Sequence, residues 1–136
     1  MGTIQQWINN CFAAIKSAYT VNSIGEQAER MACQYLCQQG LKLVRRNYRT
    51  KAGEIDLIMR DKNDWVFVEV KFRTNQGWAS AAESVTRDKQ LKVINAAKQF
   101  LQQYKIYDLV ACRFDVITIE TSLNNEKIDW IPGAFN

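Results

Sequence analysis

Two alternating runs, Gly53-Glu54-Ile55-Asp56-Leu57-Ile58 and Val66-Phe67-Val68-Glu69-Val70-Lys71, flank the polar break Asp61-Lys62-Asn63-Asp64. A period of two on both sides of turn-forming residues reads as a β-hairpin. With Lys62-Asn63 as the two-residue loop, Asp61 faces Asp64, and counting outward sets Asp56 opposite Glu69 and Glu54 opposite Lys71. Ile55 and Leu57 then fall opposite Val70 and Val68 on the other face. One face is aliphatic and suited to a core, while the other collects Glu54, Asp56, Glu69 and Lys71, three negatives and one positive.

Such a patch is costly unless something occupies it. Opposed side chains have Cβ atoms about 5 Å apart, and at an effective dielectric near 20 two like charges at that distance repel by roughly 3 kcal/mol. A divalent cation held by Asp56 and Glu69 converts that repulsion into binding, and magnesium and manganese prefer carboxylate and carbonyl oxygens. The ammonium of Lys71 beside it is suited to orient or deprotonate a water, or to stabilise charge developing on a phosphate.

Asp56 followed by Glu69-Val70-Lys71 on the next strand resembles the PD-(D/E)xK signature of the restriction-endonuclease-like superfamily. Ile55 stands at the position of the signature's proline. The wider chain is similar to the uncharacterised bacterial YraN family, close in shape to archaeal Holliday-junction resolvases. The resemblance runs from Gly25-Glu26 through Arg45-Arg46-Asn47-Tyr48-Arg49 and the two hairpin strands to Arg113-Phe114-Asp115-Val116. It implies a metal-dependent nuclease fold. Asp56 and Glu69 would then hold Mg2+ or Mn2+, the Val70 carbonyl would be a further ligand, and Glu54 and Glu26 would be additional acids.

The remaining sequence narrows the chemistry. A chain of 136 residues, 47% of them apolar, suits one domain with a real core. The absence of histidine excludes His-dependent triads, HNH-type nucleases and His-ligated zinc. Four cysteines, at 11, 33, 37 and 112, form no C-x-x-C pair, which suits a reducing, cytoplasmic setting. No apolar run approaches a membrane span, and no basic n-region precedes an apolar h-region. The net charge of +4 is mild, but Lys42, Arg45, Arg46, Arg49 and Lys51 crowd one segment just before the acidic hairpin.

Taken in order, Ile4, Trp7, Ile8, Cys11, Phe12, Ile15 and Tyr19 fall at helical spacing behind Thr3, an amphipathic helix set apart as residues 1–21. Its polar face holds one cation, Lys16, which disfavours a membrane anchor and leaves packing on the domain or in a homodimer. A second helix is expected from Ile24 to about Gln39, with Ala28, Met31, Ala32 and Tyr35 inward. Ser23-Ile24-Gly25-Glu26 fits a capping box, an alternative, structural role for Glu26. Leu41 to Tyr48 reads as a strand whose cations either defend an edge or contact phosphates. Arg45, Arg46, Arg49 and Arg73 are the candidate nucleic-acid contacts. Thr74 to Ala82 is a loop with Trp78 at its tip, a core cover or a stacking group.

Thr86 caps a third helix with Asp88 in its first turn and Leu91, Ile94, Ala97, Leu101 and Tyr104 inward. Near its start, Gln90 reaches either the acidic site or backbone, and Lys89 is solvated or contacts phosphate. Arg113 to Glu120 forms a further strand, and Ile128 to Ile131 a short edge strand before Pro132-Gly133. The order αβββαβ in residues 22–136 suits an α/β fold with a mixed sheet flanked by helices. The expectation is a metal-dependent nuclease acting on DNA rather than RNA. The alternative is a nucleic-acid-binding or assembly module with that fold and no cleavage.

Overall fold

The computed structural model describes residues 21–73, 85–121 and 126–136. The expected N-terminal helix and the Trp78 loop lie outside the described residues. The order is α1 (Val21–Gln38), β1 (Lys42–Arg49), β2 (Glu54–Asp61), β3 (Asp64–Arg73), α2 (Arg87–Gln103), β4 (Cys112–Thr121) and β5 (Glu126–Phe135). The strands form one sheet in the order β1-β2-β3-β4-β5. Only the β3/β4 pair is parallel, because α2 lies between those strands and carries the chain back. This is the expected mixed α/β architecture.

Alternation in the strands splits the core into two layers. Ala28, Met31, Ala32 and Leu36 of α1 cover Leu57, Met59, Val66, Val68, Ile117 and Ile119. Val93, Ala96, Ala97 and Phe100 of α2 cover Ile58, Phe67, Phe114 and Val116 on the other side. The hairpin register is as counted, from Asp61↔Asp64 to Leu57↔Val68, with Lys62 in the left-handed region at φ 57.

Four expectations are corrected. Ile55 does not share a face with Leu57: it joins the α2 layer, so the hairpin has core on both faces and its charged groups sit at one end. Ser23 is no cap, because α1 already runs from Val21. In α2 the buried stripe is Val93, Ala96, Ala97, Phe100 and Leu101, while Leu91 and Tyr104 are exposed. The ring of Phe100 turns the helix by packing on Tyr48, Trp65 and Phe67 at centroid distances of 5.3, 5.3 and 6.1 Å. Finally, β5 runs through Pro132-Gly133 instead of stopping before it. It can do so because it is an edge strand with a register shift opposite Asp115.

The Thr86 cap holds: its hydroxyl accepts from the Lys89 N–H, with Asp88 in the first turn. Gly53 is where β2 and α2 meet most closely. A Cβ there would lie 2.7 Å from the Lys92 carbonyl oxygen, so glycine lets the helix backbone seat against the start of the strand. Among the described residues no helix is long and apolar enough to cross a membrane.

Candidate active site

The β2/β3 ladder ends at Leu57↔Val68, while β2 stays paired with β1 through Tyr48↔Ile55 and Arg49↔Glu54. β2 therefore leaves β3 at Asp56, and the Val70 N–H donates instead to Asp56 Oδ2 at 2.8 Å. This ties Asp56 to the strand that carries Glu69. The two carboxyl groups lie close enough to couple their titrations.

Burial dominates their electrostatics. Glu69 is 4% exposed, and desolvation followed by the Asp56 charge pushes it up to about 8, against the pull of Lys89 and Lys71. Asp56 is likewise raised by burial, opposed by its bond from Val70 and by Lys89. Glu69 Oε2 is buried with no hydrogen-bond partner among the described residues. Lys89 Nζ, in the first turn of α2, lies 3.8 Å from Glu69 Oε1 and 4.0 Å from Glu54 Oε1. Glu54 also meets Arg49 at 3.6 Å.

Of the sequence candidates, the structure brings together Asp56, Glu69, Glu54, Lys89 and Arg49, with Lys71 near enough to act on Glu69. It does not gather the rest. Gln90 is engaged elsewhere, its amide donating to the Val85 carbonyl at 3.1 Å and accepting from Arg87 at 3.0 Å. Arg73 is ion-paired with Glu120 on β4. Arg45 stacks on Tyr48 at 4.9 Å, towards the α2 layer, whereas Arg46 donates to Cys33 Sγ on α1. The basic segment of β1 is therefore divided between the two sides of the sheet.

Glu26 is exposed, and the acid of α1 that feels the Asp56 charge is Glu29, one turn further on. Burial and then the Asp56 charge raise Glu29, while a side-chain hydrogen bond with Asn47 lowers it. Asn47 sits in β1 at φ 52, a left-handed conformation that Asn tolerates. Both residues went unassigned in sequence. The available signal was that Glu29 precedes buried Cys33 by one helical turn and so borders the inward stripe of α1.

The donor set suits a hard cation. A buried, unsatisfied carboxylate oxygen beside a second carboxylate is an oxygen site short of positive charge. Among the described residues no three Cys, Asp or Glu side chains converge as ligands. The pair Asp56 and Glu69 would thus leave coordination positions for the Val70 carbonyl, water or phosphate, which is how magnesium is commonly bound.

A family model described as "Uncharacterised protein family UPF0102" matches residues 28–119. A UPF0102 protein of Saccharophagus degradans is 47% identical over 114 residues, covering 84% of this chain and 93% of its own length. One from Pseudomonas savastanoi pv. phaseolicola is 46% identical over 113 residues, covering 82% and 92%. Another from Nitrosococcus oceani is 43% identical over 111 residues, covering 82% and 90%.

Proposed function

The chain belongs to the uncharacterised protein family UPF0102, and on that premise we propose that it is a divalent-metal-dependent phosphodiesterase acting on DNA. The observation that carries this reading is the buried Asp56–Glu69 pair with its partnerless Glu69 oxygen, at the point where β2 and β3 separate. Asp56 and Glu69 would hold Mg2+ or Mn2+. The bound ion would supply polarisation of a phosphoryl oxygen and a water of lowered pKa.

The chain's own groups do the rest. Lys71 Nζ, on the strand of Glu69, orients the attacking water and offsets charge on the phosphate. Glu54 and Glu29 surround the pair as additional acids, with exposed Glu26 behind them. Arg49, exposed beside Glu54, contacts the phosphate backbone, with Arg45 and Arg46 further along β1. The free thiols of Cys33, Cys37 and Cys112 favour a reducing, cytoplasmic setting.

The test is a cleavage screen of branched, flapped, single-stranded and duplex DNA, and matching RNA, with magnesium or manganese. Cleavage of a DNA substrate that falls about a hundredfold or more in Asp56→Asn and Glu69→Gln is expected. Thermal melts add a second readout. Manganese at about 100 times its dissociation constant should stabilise the wild type by about 2.7 kcal/mol, and Asp56→Asn far less. Binding without cleavage of any substrate would leave the non-catalytic nucleic-acid module as the better reading.

A further inference from the structure

Lys89 stands where a helix least favours a cation. It is in the first turn of α2, at the positive end of the helix dipole, and its own N–H donates to the Thr86 cap. Its placement follows from backbone packing, since the absent Cβ of Gly53 seats the next turn, at Lys92, against β2. Its contacts of 3.8 and 4.0 Å exceed hydrogen-bond length, so the ammonium balances charge without closing the site, and Glu69 Oε2 stays unpartnered.

We propose that Lys89 is an exchangeable counter-ion: it balances the negative charge of Glu54 and of the Asp56–Glu69 pair in the metal-free protein, and leaves Glu69 to contact a substrate phosphate when the carboxylate pair holds a divalent ion. This rests on the metal reading of Asp56 and Glu69. Two effects follow from the same side chain. Lys89 lowers intrinsic metal affinity, because its positive charge competes for the same carboxylates. It also couples metal to nucleic acid, because an ammonium released from Glu69 is available to phosphate only once the ion is bound, and such coupling is reciprocal.

The experiment compares wild type, Lys89→Met and Lys89→Arg in two titrations. Manganese alone, followed by calorimetry, should bind Lys89→Met about five- to tenfold more tightly than wild type, with Lys89→Arg close to wild type. Binding of a labelled DNA duplex, in calcium to supply a hard cation and in chelator to remove it, should weaken about tenfold in Lys89→Met with calcium and less than twofold without. Equal or weaker manganese binding by Lys89→Met, with normal binding by the wild type, overturns the proposal and leaves the metal reading standing. An equal loss of DNA affinity with and without calcium overturns it too, as does a duplex that the wild type fails to bind in calcium. Absence of manganese binding by the wild type overturns the metal reading itself, and the proposal with it.

Discussion

Two carboxylate clusters of the sheet stand in opposite circumstances: one on β4, linked through Arg113 to Asp61 at the closed end of the β2/β3 hairpin, and one at the hairpin's open end. On β4, Asp115 is fully buried yet accepts from Arg113 Nε at 3.1 and 3.3 Å, from Trp130 Nε1 at 3.0 Å and from the Gly133 N–H at 2.9 Å. Arg113 also donates to Asp61 at 3.0 Å, relieving its opposition to Asp64. Every bond is short, and the guanidinium is shared between two acids. At the open end, Asp56 and Glu69 are buried side by side, Lys89 stays 3.8 Å from the nearer oxygen of Glu69, and the other oxygen has no partner among the described residues. A buried acid that serves the fold is saturated with donors. One that is under-saturated retains capacity to bind something else.

The largest expected effect breaks the Asp115 cluster. Asp115→Asn replaces one acceptor with a donor facing other donors and leaves Arg113 partly unpaired, which should cost about 3–5 kcal/mol. Urea or thermal unfolding checks this, and a loss below about 1 kcal/mol would remove the contrast between the two clusters.

A smaller effect, of opposite sign, is expected at the open end. Glu69 takes its proton at about 8 in the folded chain against an ordinary value of 4.5, so between those values the folded state holds more protons. Stability of the metal-free protein should therefore fall as pH rises through that window. The groups facing Glu69 are Asp56 on β2, Lys71 on its own strand and Lys89 on α2. In chelator the wild type should lose about 5 °C of Tm between pH 5 and pH 8, and Glu69→Gln should flatten that slope and melt no lower than wild type at pH 8. A Glu69→Gln protein that melts well below wild type at pH 8 would make Glu69 a structural acid like Asp115.

The smallest effect on stability belongs to the exposed cations. Arg49 is 76% exposed in its pairing with Glu54, so Arg49→Ala should change stability by less than about 1 kcal/mol. It should nonetheless weaken nucleic-acid binding evenly across sequences and reduce the salt slope by about one. Measured affinities at several salt concentrations decide it, an unaltered slope counting against a phosphate contact.

Local chemistry was enough to determine the hairpin. The turn Asp61-Lys62-Asn63-Asp64 and the alternation on both sides specify Leu57↔Val68, and hence the nearness of Asp56 to Glu69, because a one-residue slip would exchange every side chain's face. The Thr86 cap and the inward stripe of α1 were legible for the same reason: both depend on residues within one helical turn. What only the tertiary structure decided depends on partners far away in the chain. The α2 stripe carries apolar residues on a broad arc, and the aromatic contacts of Phe100 with β1 and β3 choose its rotation. Pro132-Gly133 reads as a stop until Asp115, on another strand, captures the Gly133 N–H. Glu29, hydrogen-bonded to Asn47 of β1, feels the Asp56 charge, and Lys89 meets Glu69 because Gly53 admits the helix. Spacing along a strand or helix sets which side chains share a face, but the charge balance of a buried acid is set by whatever the packed elements bring to it.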